Sequence, residues 1–221
     1  FVNVISRGIV APFGGGDARF GTNPFTVGIP VPGGDPILLD FATSVMAQGK
    51  ARVAYNKGEQ IPAGRMLDDK GLPTTDPKFA VVDPAGAILT FGEHKGYGMA
   101  VVCELLGGAL TGMACQGPAS GKRRVLNGML TILFDPARLA DGAMFASEMH
   151  GFIDWIKASP PQPGVERVRL AGDPEREKRA QRLASGIPVD ATTWGDILKA
   201  AQRLNIDPDE IDRLAGGSRP G

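Results

Sequence analysis

The pair His94-Lys95 stands where an apolar, glycine-containing stretch begins. That stretch predicts a helix over residues 95–110 that is buried on most sides. Because the amino end of a helix carries a partial positive charge, a lysine there costs on the order of 0.3–1 kcal/mol unless something offsets it. A phosphate group would gain from both the lysine and the free backbone amides, and nearby glycines would let it approach closely. The alternative is a lysine that extends to solvent beside a packed histidine.

Two short turns also carry polar side chains at the ends of predicted strands. In Gly21-Thr22-Asn23-Pro24, the proline is expected to hold Asn23 in an extended conformation, so that a hydroxyl and an amide are presented at the mouth of a strand. Asp40 ends an apolar run, and Thr43 or Ser44 is expected to cap the helix that follows. A plain turn and an ordinary helix cap would explain the same residues without a ligand.

A third candidate is the acid-rich start of a charged helix, Gly172-Asp173-Pro174-Glu175. Acidic residues in a first turn suit the helix dipole and need no ligand. Arg176, Lys178 and Arg179 follow, and they could either meet a phosphate or form a solvated helix face. The residues alone leave both interpretations open.

Five short signatures occur in a fixed order along the chain. They are Gly21-Thr22-Asn23-Pro24, Leu39-Asp40-Phe41-Ala42-Thr43-Ser44, Thr74-Thr75-Asp76-Pro77, His94-Lys95-Gly96-Tyr97-Gly98 and Gly172-Asp173-Pro174-Glu175. Together they resemble the malate/L-lactate dehydrogenase family of nicotinamide-dependent oxidoreductases, which does not use a Rossmann fold and also includes ureidoglycolate dehydrogenase, diketogulonate reductase, sulfolactate dehydrogenase and piperideine-2-carboxylate reductase. The resemblance extends from residue 1 to about residue 194. It implies an α/β fold in which a mixed β-sheet packs against helices, followed by a C-terminal helical segment.

The resemblance assigns the candidate residues to a substrate and to a cofactor, NAD or NADP. Asn23 is expected to help shape the substrate pocket. The substrate-side positions that the resemblance implies are Thr22, Gln48, Gly49 and Lys50. The cofactor positions that it implies are Asp40, Phe41 and Ala42 at the nicotinamide end, His94 and Lys95, and, near the adenosine side, Gly172, Asp173, Pro174, Glu175 and Arg176.

Lys50 departs from one branch of the family. The cyclic-imine reductases carry an aspartate of the catalytic relay at this position. A lysine there counts against an imine substrate and favours a 2-oxo acid, because it could help to hold the carboxylate.

The resemblance also implies where the proton donor should be. In the family, a histidine supported by a serine, both in an N-terminal segment, protonates the developing alkoxide. This sequence opens at Phe1 without a counterpart of that segment, so the catalytic residues are expected to lie in a part that the chain lacks. His94 is not assigned that role, and His150 is expected to be structural.

The predicted function is therefore hydride transfer between NAD(P)H and a small 2-oxo or 2-hydroxy acid. One alternative is a truncated, catalytically incompetent relative that serves as a cofactor-binding or dimerisation module. The other is an unrelated α/β domain whose turns mimic the signatures.

Composition excludes several other classes of protein. The 24 basic and 24 acidic residues balance, so no overall field would attract nucleic acid or an anionic membrane, and 6% aromatic residues are few for stacking on bases. The longest apolar run, residues 99–110, is short and is interrupted by Glu104, so no membrane span is expected. Two cysteines favour free thiols in a reducing compartment, here the cytoplasm. The two histidines lack metal-binding spacing, and residues 117–123 resemble a phosphate-binding loop only loosely.

Turn residues divide the chain into short elements and two regions. A proline-rich break at residues 159–164 separates a predicted cofactor- and substrate-binding α/β domain, residues 1–163, from a helical segment, residues 164–221, with a disordered tail. Strands are predicted over residues 25–30, 37–41, 87–91 and 129–134, and all but that at 87–91 are expected to be buried. Helices are predicted over residues 44–57, 95–110, 144–159, 174–185 and about 192–204, and from Pro208 onward with Asp207 as the cap.

A long loop over residues 58–86 interrupts this pattern. It carries Ile61, Met66 and Leu67, which is more apolar surface than a solvated loop needs. We expect a second subunit to cover these side chains, in keeping with the homodimer, with its active site near the interface, that the resemblance implies.

Overall fold

The computed structural model describes residues 1–5, 7–117 and 126–216, and for Asn3, Val4 and Ile5 it describes the backbone only. Nearly all of the stretch at 117–123 and of the predicted disordered tail therefore lies outside the described residues. The strands are β1 (Val2–Ile5), β2 (Phe25–Ile29), β3 (Ile37–Phe41), β4 (Met66–Leu67), β5 (Pro73–Thr74), β6 (Ala87–Ile88) and β7 (Leu126–Met129). The α-helices are α1 (Gln48–Lys57), α2 (His94–Val102), α3 (Gly142–Lys157), α4 (Asp173–Ser185), α5 (Ala191–Arg203) and α6 (Pro208–Ala215).

The described strands form three small antiparallel sheets rather than one continuous sheet. β1 pairs with β7, β2 pairs with β3, and β4 lies between β5 and β6. A single parallel bridge between Val10 and Ile88 joins the N-terminal part of the chain to the third sheet. The predicted α/β class with packed helices is confirmed. The sheets are small because each strand is only two to five residues long.

The predicted hairpin of β2 and β3 is present, but it is exposed rather than buried. The direct pairs Val27–Leu39 and Ile29–Ile37 place apolar side chains on one face of the hairpin, and the pair Thr26–Asp40 lies on the other. Val27 is 36% exposed and Leu39 is 43% exposed. The described chain therefore covers the apolar face of the hairpin only in part.

The core lies around α1, β4, β6 and the segment that contains Val10. Val10, Met66 and Ile88 are almost completely buried and belong to one apolar cluster. Ile61, Met66 and Leu67 of the long loop are buried within this chain, so the expectation that a second subunit covers them is wrong. The loop can enter the core because its polar backbone groups are paired; for example, the Ile61 amide donates to the Thr75 carbonyl at 2.9 Å.

Helix α1 begins at Gln48, four residues later than predicted, and neither Thr43 nor Ser44 caps it. Ser44 instead forms a β-bridge with Thr90, and its hydroxyl donates to the Met46 carbonyl at 2.8 Å. These contacts hold the backbone before Gln48 outside the helix.

The predicted helix over 95–110 has two parts and is less buried than expected. α2 ends at Val102 and continues as a π-helical segment, Cys103–Ala109. Cys103 is buried with a free thiol, as predicted, and burial raises the pKa of that thiol. Leu105 and Leu110 are 53% and 67% exposed, so the described chain covers this side of the helix only in part.

The strand predicted over 129–134 is shifted and is not buried. β7 ends at Met129, and Leu130 exchanges backbone hydrogen bonds with Phe1, where the partner strand begins. In the part of the chain that the structure describes, no strand follows β7, and Leu133 is 90% exposed. Helices α3 to α6 begin and end within two residues of their predicted limits, and Asp207 caps α6 as expected.

Candidate functional site

The corner between β3 and α1 joins the first turn signature to the start of α2. Thr43 is fully buried, and its backbone amide and hydroxyl both donate to the Thr22 carbonyl, at 2.9 and 3.0 Å. The Thr43 carbonyl accepts from the Phe91 amide at 3.1 Å. A Cβ added to Gly96 would lie 2.3 Å from the Phe91 carbonyl oxygen and 2.8 Å from that of Thr43, so only glycine fits. Three of the five signatures therefore meet at Thr43.

Asn23 has a different conformation and a different role from those expected. Its φ is 39°, in the left-handed region, although proline follows it. The side chain is completely buried, and Nδ2 donates to the Ala100 carbonyl at 3.2 Å and to Glu104 Oε1 at 2.9 Å. Asparagine tolerates this backbone region better than most residues, and two buried hydrogen bonds hold it there. The Asn23 amide is therefore directed into the protein and is not presented to a ligand.

His94 and Lys95 form the first turn of α2, and both side chains are exposed. The backbone amides of this turn are less available than the sequence suggested. Lys95 N donates to the Gly92 carbonyl at 3.1 Å, and Gly96 N donates to the Phe91 carbonyl at 2.9 Å. An anion at this point would interact with the Lys95 side chain and the helix dipole rather than with these two amides.

Asp40 and Phe41 lie on opposite faces of β3. The Asp40 carboxylate is exposed and accepts a hydrogen bond from Thr26 Oγ1 at 2.8 Å. The Phe41 ring lies between Phe25 and Phe91, with centroid distances of 5.7 and 5.3 Å. Because neighbouring side chains of a strand point in opposite directions, only one of the two can face a given ligand. Asp40 is available, whereas Phe41 serves the packing of the corner.

Gln48, Gly49 and Lys50 form the first turn of α1, which follows the corner of the half-buried Ala42 and the buried Thr43 in the chain. Gln48 Nε2 donates to the Ala80 carbonyl at 3.0 Å, so this side chain anchors the helix to the core. Gly49 and Lys50 are exposed. Lys50 is therefore the candidate in this turn whose charge can meet a substrate.

The loop that leads into α4 is attached to the other end of β3. The Leu38 amide donates to the Ala171 carbonyl at 3.1 Å. Arg176 Nη1 donates to the Pro36 carbonyl at 3.1 Å, and its guanidinium lies 3.5 Å from the Asp35 carboxylate. Arg176 therefore holds the loop against the turn of the hairpin, and it is less available to a phosphate than the sequence suggested.

Asp173 organises the same loop from within. Its carboxylate accepts from the Leu170 amide at 2.9 Å and from Arg176 at 2.7 Å. The Leu170 amide, and to a lesser extent Arg176, lower the pKa of this carboxyl. Gly172 is buried with a φ of 97°, a backbone conformation that suits glycine.

Pro174 and Glu175, the remaining predicted positions of this loop, are exposed. Pro174 borders an open pocket of about 300 Å³ on the surface of α4. The pocket is also lined by Arg169, Glu177, Lys178 and Gln181. It is large enough for part of a nucleotide, and it carries both signs of charge.

The two groups of predicted cofactor residues lie at opposite ends of β3. Leu38, bonded to the α4 loop, and Phe41, at the corner, are about 10 Å apart at the usual rise of a strand. A dinucleotide has two ends that must be held apart, and exposed Asp40 and Lys95 at one end and Pro174 and Glu175 at the other suit such a ligand. The residues present therefore fit the cofactor that the sequence predicts.

Glu104 is a residue of this region that the sequence argument missed as a functional candidate. It is 5% exposed, and its two carboxylate oxygens accept from Asn23 Nδ2 at 2.9 Å and from the Gln116 amide at 3.0 Å. The available signal was a single acidic residue inside the apolar run at 99–110. A charge in such a run is costly unless it is bonded, so it indicates a specific partner.

Comparison with known proteins identifies the family. The family model described as malate/L-lactate dehydrogenase matches residues 1–198. The chain belongs to this family. The alternative of an unrelated domain with similar turns is therefore excluded.

Individual relatives are similar over nearly the whole chain. Hydroxycarboxylate dehydrogenase B of Escherichia coli strain K12 is 42% identical over 95% of this chain, and L-lactate dehydrogenase of Cupriavidus necator is 39% identical over 93%. The chain covers 58% and 60% of the lengths of these two relatives. It thus spans about three fifths of the curated relatives that it matches.

The fold of the family is also shared. The solved structure of a malate/lactate dehydrogenase-type protein from E. coli superposes with a TM-score of 0.87 and 39% identity, and the alignment covers 98% of this chain and 61% of that one. Within the described residues, no helix is long and apolar enough to cross a membrane. The same residues contain no group of three or more side chains suited to a metal ion.

Proposed function

We propose that the protein takes part in hydride transfer between NAD(P)H and a small 2-oxo acid, or between NAD(P)⁺ and the 2-hydroxy acid. The observation that carries the proposal is that hydrogen bonds join Thr22, the Thr43 corner and the start of α2, while the second predicted cofactor loop lies at the far end of β3. The two relatives described above are named hydroxycarboxylate dehydrogenase B and L-lactate dehydrogenase, which supports a hydroxy acid as the substrate class.

The residues have separate tasks in this proposal. Asp40 and Lys95 would hold the nicotinamide half and the pyrophosphate, and the loop of Gly172 and Asp173 would meet the adenosine half. When bound, the cofactor supplies the hydride for the carbonyl carbon. Lys50 would pair with the carboxylate of the substrate, and the hydroxyl or backbone of Thr22 would contact the substrate from the opposite side. By the family resemblance, the proton comes from a histidine that the residues described here do not include.

The experiment uses protein expressed from its complete coding sequence. NADH and NADPH are both titrated by fluorescence, because the preferred nucleotide is open. Arg176 is paired with Asp173 and Asp35, so the 2′-phosphate of NADPH would have to meet Lys178 or Arg179 instead. Oxidation of the bound nucleotide is then followed with pyruvate, oxaloacetate and a cyclic imine carboxylate. We expect turnover with a 2-oxo acid and little with the imine.

Two other results would change the conclusion. Nucleotide binding without turnover of any of the three compounds would favour the alternative function, a cofactor-binding or dimerisation module without catalysis. Faster turnover of the imine would contradict the argument from Lys50.

We also propose that the protein acts as a homodimer, in the cytoplasm. Apolar side chains in the second half of the chain are exposed, which supports the idea that another subunit covers them. Phe134 is 74% exposed, and the stacked rings of Phe152 and Trp155 are 61% and 74% exposed. Sedimentation equilibrium over a wide concentration range tests this proposal. A well-folded monomer at micromolar concentration would contradict it.

A further inference from the structure

Glu104 is a buried carboxylate for which the proposed chemistry has no use. It lies in the π-helical segment after α2 and, among the described residues, it is the charged side chain that is buried, at 5% exposed. Removing a carboxylate from water is unfavourable unless hydrogen bonds replace its hydration. π-helical turns are often found at functional sites. The burial of Glu104 and its place in a π-helical segment both suggest that this carboxylate has a specific role.

The contacts of Glu104 show what the carboxylate does. Oε1 accepts from Asn23 Nδ2 at 2.9 Å, and Oε2 accepts from the Gln116 amide at 3.0 Å. Asn23 Nδ2 also donates to the carbonyl of Ala100, one helical turn before Glu104, at 3.2 Å. One asparagine amide is thus held by two groups on the same face of the helix.

These bonds fix a backbone conformation that the chain would otherwise avoid. Asn23 has a φ of 39°, and such residues persist where their surroundings hold them. The residues on both sides are bonded elsewhere, since the Thr22 carbonyl accepts from Thr43 and the Pro24 carbonyl accepts from the Val2 amide at 3.1 Å. The Asn23 turn joins these two anchored residues and is itself held by Glu104, so we expect the direction of Thr22 to depend on Glu104 as well as on Thr43.

We propose that Glu104, acting through Asn23, is a positioning residue for Thr22 and hence for the substrate side of the site. The part of this inference that concerns substrate rests on the proposed function, because Thr22 is a substrate contact only in that context. The part that concerns the turn does not. The two parts are tested separately.

The first test measures the turn itself by hydrogen–deuterium exchange in the complete protein. Glu104→Gln keeps the size of the side chain but replaces one acceptor by a donor, so one of the bonds to Asn23 and Gln116 must be lost. We expect the Thr43 amide, which donates to Thr22, to exchange about tenfold faster or more, while amides in α4 and α5 are unchanged. The control is Glu148→Gln, a matched change on the exposed surface of α3. Unchanged exchange at Thr43 would overturn the inference.

The second test separates positioning from a purely structural role. The measurement is made at a temperature where Glu104→Gln and Glu148→Gln are both folded. There, Glu104→Gln should lower kcat/KM for the 2-oxo acid by about 10- to 100-fold, because a small displacement of a positioning group slows the reaction strongly. The dissociation constant of NADH should change less than about threefold, since the cofactor residues are not bonded to Glu104. Equal losses for both ligands would indicate general damage and overturn the positioning role. A wild type that binds no NADH and reduces no 2-oxo acid would instead contradict the proposed function.

A reciprocal exchange of the pair gives the rescue. Asn23→Asp alone places two carboxylates together in a buried site, and we expect faster exchange at Thr43 than in Glu104→Gln. Adding Glu104→Gln to that variant restores an amide–carboxylate pair, so the double variant should exchange more slowly than Asn23→Asp. If the double variant is as disturbed as the sum of the two single variants, the two side chains do not act together.

Discussion

The two halves of the described chain bury their side chains very differently. All the buried hydrophobic residues except Ala201 lie between Val10 and Cys103. In the second half, Leu133 is 90% exposed and Trp155 is 74% exposed. The corner, the Thr22 turn and α2 therefore stand on a packed core, whereas the second half reaches the candidate site through the loop before α4. One side of the candidate site thus rests on buried residues, and its other side depends on a docked loop.

The largest effect should come from truncating a core residue of the first half. Met66→Ala is expected to lower the free energy of unfolding by about 2–5 kcal/mol, because it leaves a cavity beside Val10 and Ile88. Leu139→Ala is the matched change in the second half, where the side chain is 73% exposed, and it should cost no more than about 0.5 kcal/mol. Urea unfolding measures both values. Similar losses would show that the second half has a core of its own.

A smaller effect is expected from the charge at the start of α2. Lys95→Ala should weaken NAD(P)H binding by roughly 1.5–3 kcal/mol if the lysine meets a cofactor phosphate through a charge-assisted hydrogen bond. Lys199→Ala, in α5 of the second half, removes a similar exposed charge and is the control. Equal affinities of the wild type and the Lys95 variant in a fluorescence titration would refute the assignment.

The smallest effect should appear where the α4 loop is docked on the hairpin. The pKa of Asp173 is lowered in the folded protein, so its stabilising contribution is present above the ordinary carboxyl value of about 3.9 and is lost as the pH falls through the lower folded value. Asp173→Asn should therefore reduce the free energy of unfolding by about 1 kcal/mol at pH 7 and by less near pH 3.

Asp154→Asn, on the exposed surface of α3, is the control for this pH dependence. Urea midpoints at the two pH values give the comparison. A difference between wild type and Asp173→Asn that grows as the pH falls would contradict the sign of the argument.

Local signals predicted the helices of the second half well. Asp207, Pro208 and the break at 159–164 act on the residues next to them, and α3 to α6 follow these signals closely. The strand predicted over 129–134 was wrong because pairing depends on a distant partner. β7 pairs with β1 over Leu126–Met129, and residues far from β7 in the sequence set that register.

The candidate site shows the same division between near and distant causes. The signature around Lys95 predicted an exposed cation at a helix start, and the structure has one. The expected cap at Thr43 or Ser44 was wrong because Thr43 bonds to Thr22 and Ser44 pairs with Thr90 instead. The cofactor and substrate roles of these residues remain predictions.

The sequence by itself determined the family and the helices with clear caps. It also determined which types of residue stand near the two ends of β3, where the cofactor is predicted to bind. Tertiary structure alone decided which side chains face inward. It turned Asn23 towards Glu104, 81 positions away, and moved the apolar side chains of the long loop into the core. The physical reason is that caps, turns and periodicity act between neighbours in the chain, whereas a buried carboxylate needs a partner that only folding brings within hydrogen-bonding distance.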